Sequence, residues 1–342
     1  MTIRRRTAIA IAFTGLIGLC GPAAVLGRAP LAAAAPSTQP TVISAERAGL
    51  TATGQVTEAG RAGAVRYWSR AQMAAARNLD AGARVSADPW VAGARWTEGG
   101  AVTRTTGRVF FTLDGTDYSC SGSTVDSANA DLVITAAHCV SDGQGKWATH
   151  WIFVPGYDDG HEPYGAYPAR SFFAASGWQH GADENDDVAF VAVGPASGGS
   201  GGTGSGGTGS GGTGSGGTGF DRKQARLHVV DVVGGQQIQF GSRAATEILF
   251  GYPSVGQYHG RYLDYCDGAL RPDPYGSPDA GIECTMTEGA SGGPWFSGFD
   301  PLTGLGTITG VTTFRYSGSG VTLYSVDLGS VAHRLYDEAQ KA

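Results

Sequence analysis

Ser291 lies in the glycine-dense segment Glu288-Gly-Ala-Ser-Gly-Gly-Pro294. A serine flanked by glycines at this density predicts a tight turn, on which the backbone N–H groups of Gly289 and Ser291 converge on one point. Two such donors stabilise the negative charge that develops on a carbonyl oxygen during nucleophilic attack. For this segment taken alone, an ordinary glycine-rich turn is the alternative.

His138 is the candidate for the base that such a serine needs. It follows the apolar run Leu132-Val-Ile-Thr135 and two small residues, and it directly precedes a cysteine. A serine hydroxyl is a poor nucleophile until a neighbouring base takes its proton, and the pKa of histidine suits that task near neutral pH. A structural histidine is the alternative, but the placement directly after a strand favours the catalytic interpretation.

Asp187 is the candidate for the acid that pairs with His138, because it directly precedes the apolar run Val-Ala-Phe190. An acid that enters a buried strand has to be paired, and the imidazole of a catalytic histidine is its natural partner. The carboxylate would hold the imidazole in one tautomer and stabilise its charged form. The adjacent Asp186 is the alternative.

These three segments together resemble the chymotrypsin-like serine peptidases, in which they occur in the same order of His, Asp and Ser. Thr-Ala-Ala-His-Cys139 and Gly289-Ala-Ser-Gly-Gly-Pro294 are the specific pair, and the resemblance covers roughly residues 102–340. More narrowly, the sequence resembles the bacterial secreted branch related to glutamyl endopeptidases. The resemblance implies an all-β fold of two antiparallel six-stranded β-barrels with the active site between them.

The resemblance also implies the activity of a serine endopeptidase. Ser291 would attack the peptide carbonyl, His138 would shuttle the proton, Asp187 would orient His138, and the amides of Gly289 and Ser291 would hold the oxyanion. No cofactor or metal is expected, and the expected partner of the monomer is a protein or peptide substrate. The alternatives are a catalytically silent homologue that acts as a secreted binding module and an esterase that uses the same triad.

The cysteines predict two disulfides, because four of them follow the leader of an exported chain. A zinc site is the alternative, but no two of the four form a Cys-x-x-Cys pair. The residues alone leave three pairings open. The resemblance implies the pairs Cys120–Cys139 and Cys266–Cys284.

Departures from the family concern activation and specificity. Trypsin-like zymogens pair a new N-terminal amine with an Asp immediately before the nucleophile; Ala290 stands there, so other contacts must order the oxyanion hole. Thr285 replaces the Asp of enzymes that cut after Arg or Lys, and basic specificity is not expected. Thr312 stands where glutamyl endopeptidases usually carry a His, so the usual cation for a substrate carboxylate is missing. The candidate pocket residues are Thr285, Met286, Thr312, Thr313 and Phe314.

The elements that must position these residues are short strands. From about Val102 onward, β-branched and aromatic runs alternate with Gly, Pro and Asp turns, which is typical of an antiparallel sandwich or barrel. The predicted strands are 108–113, 132–135, 151–154, 188–193, 247–250, 306–314 and 320–326. A final helix is predicted over 328–340, where Val331, Leu335 and Tyr336 share one face.

The chain before the barrels is predicted to be removed in two steps. Residues 1–35 combine an arginine cluster, an apolar stretch and a run of alanines, which predicts a secretory signal peptide. An uncleaved membrane anchor is the alternative. Residues 36–101, with a helix predicted over 65–79, are predicted to be the pro-region of a zymogen. The alternative for 36–101 is an extension that stays attached.

A tract of Gly, Ser and Thr at 197–219 is predicted to be a flexible linker. It separates an N-terminal β-barrel at 102–196 from a C-terminal β-barrel and helix at 220–342. The net charge of −6 offers no basic face for nucleic acid and no polybasic membrane patch. We therefore expect a secreted, extracellular protein with no nucleic-acid partner and no membrane partner after signal removal.

Overall fold

The computed structural model describes residues 42–46, 50–77, 92–196, 227–316 and 321–342, and of 42–46 only the backbone. The predicted signal peptide at 1–35 and the predicted linker at 197–219 lie outside the described residues. The described strands form two sheets, one for each half of the predicted catalytic region.

The strands of the first sheet are β1 (Val42–Glu46), β2 (Thr51–Val56), β4 (Thr106–Leu113), β5 (Thr116–Thr124), β6 (Leu132–Thr135), β7 (Thr149–Pro155), β8 (Tyr167–Ala175) and β9 (Ala189–Val193). Those of the second are β3 (Ala94–Arg95), β10 (Gln237–Ile238), β11 (Thr246–Gly251), β12 (Asp264–Ala269), β13 (Arg271–Pro272), β14 (Ala280–Glu283), β15 (Pro294–Asp300), β16 (Leu305–Phe314) and β17 (Thr322–Asp327). The helices are α1 (Glu58–Tyr67), α2 (Arg70–Ala75), α3 (Val102–Thr105), α4 (Ser176–Gly181), α5 (Val229–Val233) and α6 (Ser330–Ala339).

The first sheet closes into a six-stranded antiparallel barrel. Its strands follow the order β4-β5-β6-β9-β8-β7, and β7 pairs back with β4. Every residue of β4 is buried, because the strand is covered on both faces. Strand β6 coincides with the apolar run predicted before His138, so the ladder with β9 fixes the point at which that residue leaves the sheet.

Part of the segment predicted to be a pro-region packs onto this barrel. Strand β2 pairs with the part of β8 that β7 leaves uncovered. Trp68 is buried, and its Nε1 donates to the carbonyl oxygen of His150 at 2.6 Å. Met73 joins the same core. The extent of any pro-region within 36–101 stays a prediction.

The single helix predicted over 65–79 is wrong for the described residues, since α1 ends at Tyr67 and α2 begins at Arg70. Trp68 between them has extended backbone, and Ser69 starts the second helix. The Ser69 hydroxyl accepts from the N–H of Gln72, whose side chain accepts in return from the N–H of Ser69. This capping box stabilises a new helix start and lets the Trp68 ring enter the core.

The second sheet has the order β13-β14-β17-β16-β15-β11-β12-β3, with β10 added in parallel to β16. Among the described strands no ladder joins β12 to β14, so this half does not close by hydrogen bonds as the first does. The disulfide Cys266–Cys284 joins these two sides instead. The two-barrel prediction is therefore confirmed as a fold class, with a closed first barrel and a second sheet left open between β12 and β14.

Two helices connect the halves. Val229 and Val233 of α5 pack into the core of the first barrel before the chain crosses to β10. The predicted C-terminal helix is confirmed as α6, which lies against β8 and β9 of the first barrel and buries Leu335. None of the helices in the described residues is long and apolar enough to cross a membrane.

The buried carboxyl of Asp264, the first residue of β12, should make the free energy of unfolding depend on pH. Burial raises the pKa of its carboxyl to about 7, although the charge of Arg95 opposes the shift. The raised pKa means that the native state binds this proton more tightly than the unfolded state does. Protonation of Asp264 therefore stabilises the native state fully at about pH 4, and this stabilisation is lost as pH rises to about 7. Asp264→Asn should therefore stabilise the protein more at pH 8 than at pH 5, measured by denaturant unfolding.

Asp267→Asn is the matched control for Asp264→Asn, because Asp267 lies on the same strand with an exposed side chain. Its effect on the free energy of unfolding should be the same at both pH values. An equal effect of Asp264→Asn at pH 5 and pH 8 would contradict the assignment of a buried carboxyl.

Candidate active site

His138 and Asp187 are paired by two hydrogen bonds. His138 lies in a 3-10 turn, Ala137–Cys139, directly after β6, and Asp187 ends a short 3-10 turn before β9. The backbone N–H of His138 donates to Oδ1 of Asp187 at 2.8 Å, and its Nδ1 lies 2.7 Å from Oδ2. The buried carboxylate therefore fixes both the backbone and the ring of His138, and Nδ1 is the ring nitrogen that carries the shared proton.

Asp186, the alternative to Asp187, occupies a different place. Its Oδ2 lies so close to Gly177 that a Cβ on that glycine would stand 2.2 Å from it. Burial, followed by the negative charge of Asp183, raises the pKa of Asp186. The carboxyl of Asp186 therefore lies against α4, while that of Asp187 meets His138.

Ser291 and Gly289 lie on the tight turn that the sequence predicts. Gly289 has φ of 95°, and a Cβ there would stand 2.4 Å from Oγ of Ser254 and 2.6 Å from the carbonyl oxygen of Tyr252. Only glycine meets both demands, a left-handed backbone and a close neighbouring chain. In the part of the chain that the structure describes, the N–H groups of Gly289 and Ser291 donate no hydrogen bond.

Ser121 of the first barrel forms hydrogen bonds to the backbone of this turn. Its N–H donates to the carbonyl oxygen of Ser291 at 2.7 Å, and its hydroxyl donates to that of Gly289 at 2.8 Å. The same hydroxyl accepts from the N–H of Tyr252 at 2.9 Å. Ser121 therefore anchors the backbone of the turn to the first barrel at two carbonyl oxygens.

Further contacts replace the ion pair that Ala290 cannot form. Both the N–H and the hydroxyl of Ser254 donate to the carbonyl oxygen of Glu288, at 2.8 and 3.2 Å. The N–H of Gly292 donates to the carbonyl oxygen of Thr312 at 2.7 Å. Backbone and hydroxyl contacts from both halves thus order the turn, as the sequence requires of a chain without the activation Asp.

Both disulfides form with the pairs that the resemblance implies, Cys120–Cys139 and Cys266–Cys284. The first flanks the site, since Cys139 follows His138 and its Sγ lies 3.9 Å from the carbonyl oxygen of Ser291. Cys120, His138 and Cys139 are also a group with the spacing of metal ligands. Sulfur atoms joined in a disulfide are not thiolates, so this group does not fit a metal.

The predicted pocket residues differ in their contacts. The hydroxyl of Thr285 lies 2.9 Å from that of Tyr258, and that of Thr312 accepts from Nε1 of Trp295 at 2.8 Å. Met286 is fully buried in the core of the second half. Thr313 falls at a register shift between β16 and β17. The ring of Phe314 stacks on Tyr324 at 5.1 Å.

Sequence reasoning missed three residues of this region. Ser121 and Ser254 hold the turn, and Arg315 donates from Nη2 to the carbonyl oxygens on either side of Thr285. A signal existed for Ser121, which directly follows the cysteine of the first disulfide. Neither Ser254 nor Arg315 lies in a motif, and only the folding of distant segments brings them here.

Solved structures similar to this chain are proteases. The chain is 32% identical to the protease Anisep from Arthrobacter nicotinovorans, with a TM-score of 0.58, over 70% of this chain and 96% of that one. It is 29% identical to the thermostable serine protease AL20 from an extremophilic microorganism, with a TM-score of 0.58, over 71% of this chain and 99% of that one. This chain belongs to the chymotrypsin-like serine proteases.

Other comparisons are weaker. A Glu endopeptidase matches with a TM-score of 0.51 at 15% identity, over 78% of this protease and 99% of that chain, which shows a common fold. The extracellular metalloprotease of Bacillus subtilis is 33% identical over 85 residues, so this protease spans about a quarter (26%) of that curated relative. No protein-family model matches the chain.

Ser121→Ala should lower kcat for peptide hydrolysis by about 10-fold or more, because the turn loses the hydroxyl that anchors the carbonyl oxygen of Gly289. KM should change little, since Ser121 lies behind the turn rather than at the substrate. Ser127→Ala is the matched control, because the Ser127 hydroxyl bonds only to Asn129 in the described contacts. Equal kcat values for the two variants would show that Ser121 does not position the turn.

Proposed function

We propose that this protease is an exported serine endopeptidase that uses Ser291 as nucleophile, His138 as base and Asp187 as the group that orients His138. The observation that carries the proposal is the double hydrogen bond between His138 and Asp187, at 2.8 and 2.7 Å. It leaves Nε2 as the ring nitrogen that can accept a proton. The turn of Ser291 and Gly289 adds two N–H donors suited to an oxyanion.

The proposed reaction is acyl transfer in two halves. The Oγ of Ser291 bonds to the carbonyl carbon of the substrate while its proton passes to Nε2 of His138. The C–N bond then breaks, the proton moves to the leaving amine, and the acyl group stays on Ser291. Water next loses a proton to His138 as its oxygen attacks the acyl carbon, and Ser291 leaves with that proton restored. Asp187 stabilises the imidazolium in both halves.

Two alternatives use the same site. A silent homologue that serves as a binding module would keep the fold without reacting, and an esterase would react with simple esters but not with peptides. The paired His138 and Asp187 support an active site over the first alternative. The hydrogen bonds that hold the turn come from both halves of the fold. They support a site that is preorganised for acyl transfer.

We also propose that the protein is exported from the cell. Both disulfides support it, because such bonds persist in oxidising compartments. We further propose that residues 1–35 are removed on export, that the zymogen is matured within 36–101, and that the substrate is a protein or peptide.

Labelling with a fluorophosphonate probe tests the nucleophile. The secreted protein should be modified on Ser291, located by mass spectrometry of the digested product. Ser291→Ala should abolish both labelling and peptide hydrolysis, while its unfolding temperature stays close to that of the parent protein. An unlabelled, folded parent protein would overturn the serine mechanism, and hydrolysis of esters alone would favour the esterase.

Asp187→Asn and Asp186→Asn are a matched pair that tests which aspartate orients His138. Asp187→Asn should lower kcat by about 10⁴-fold, because the amide holds the wrong tautomer of His138. Asp186→Asn should leave kcat close to that of the parent protein, since its carboxyl lies against α4. The reverse order of the two kcat values would assign the role to Asp186.

A further inference from the structure

The entry segment, residues 92–101, precedes the first barrel in the chain but is built into the second sheet. Its strand β3 pairs antiparallel with the start of β12, and the N–H of Trp96 donates to the carbonyl oxygen of Leu263 at 2.8 Å. The indole of Trp96 is buried among three aromatic rings at centroid distances between 5.3 and 5.7 Å, those of Phe250, Tyr265 and Phe299. Burial of this ring holds the segment in the core of the protein.

The far end of the entry segment is also fixed to the second half. Nε1 of Trp96 donates to the carbonyl oxygen of Gly99 at 2.8 Å, which turns the chain back on itself. The N–H of Ala101 donates to the carbonyl oxygen of Thr303, between β15 and β16, at 2.8 Å. The entry segment is therefore held at both ends before the chain reaches the first barrel.

Gly93 brings the entry segment against two of the predicted pocket residues. It is buried, and a Cβ there would stand 2.6 Å from Cγ of Met286 and 3.1 Å from the hydroxyl oxygen of Tyr258. That hydroxyl lies 2.9 Å from the hydroxyl of Thr285. Met286 and Tyr258 are buried as well, so these groups pack with no space for a further methyl group.

We propose that the entry segment is retained in the active protease and that Gly93 is a positioning residue, which holds Met286 and Thr285 where they bind the substrate residue before the scissile bond. The inference rests on the proposed function, since it assumes that Ser291 attacks the carbonyl of that residue. Ala290 leaves this chain without the ion pair through which a new N-terminal amine would order the site. The close packing of Gly93 orders the pocket without a charge, so maturation within 36–101 falls before Gly93.

Sequencing the N-terminus of the secreted protein tests whether the entry segment is retained. The protein that a fluorophosphonate labels at Ser291 should begin at or before Gly93. A labelled protein that begins after Gly93 would show that the protease works without this contact. That result would overturn the inference and leave the serine mechanism standing.

Gly93→Ala tests the positioning role with peptides that differ only in the residue before the scissile bond. The ratio of kcat/KM for the largest accepted residue to that for the smallest should fall about 10-fold, because the displaced side chains of Met286 and Tyr258 take space from the pocket. Gly63→Ala is the matched control, since nothing lies within 4 Å of a methyl group added at that position in α1. Its ratio should equal that of the parent protein.

A second substitution separates positioning from a general loss of stability. In a Met286→Ala background, Gly93→Ala should change the ratio less than it does in the parent protein, because the removed Cγ leaves room for the added methyl group. If Gly93→Ala lowers only the unfolding temperature and keeps the ratio, Gly93 is structural and the inference fails. If Gly93→Ala does not fold, the N-terminal sequence and the effect in the Met286→Ala background decide. A parent protein without labelling or cleavage overturns the proposed function itself.

Discussion

The contact between Ser121 and the turn of Ser291 is the constraint on which the site depends. His138 and Asp187 belong to the first barrel, whereas Ser291 belongs to the second sheet, so each half alone holds an incomplete site. The N–H and the hydroxyl of Ser121 engage the carbonyl oxygens of Ser291 and Gly289 at 2.7 and 2.8 Å. One residue of the first barrel thereby anchors the backbone of the turn at two points.

Arg108 supports the same junction by a different interaction. It is fully buried between the halves, where Nη1 donates to the carbonyl oxygen of Gly260 at 2.9 Å and Nη2 to the hydroxyl of Ser119 at 2.7 Å. The rings of Phe110 and Tyr157 lie 4.6 and 5.0 Å from its guanidinium carbon. Burial lowers the pKa of Arg108, and neutral carbonyl, hydroxyl and π partners compensate the cost of burying the charge.

The chain is tied back to the first barrel on both sides of its crossing to the second sheet. His228, the residue before α5, lies with Nδ1 2.8 Å from Oδ2 of Asp131, and α6 returns to β8 and β9 after the second sheet. The chain therefore contacts the first barrel again both before β10 and after β17.

The sequence by itself determined the chymotrypsin-like fold class, the β6 strand before His138, the tight turn at Ser291 and the C-terminal helix, because these depend on local patterns of apolar residues and glycines. Tertiary structure decided that the carboxyl of Asp187 and not of Asp186 meets His138, although the two are adjacent in sequence. It also decided the open side between β12 and β14 and the guanidinium of Arg315 beside Thr285. These features depend on contacts between segments distant in sequence, and no local pattern encodes which segments will meet.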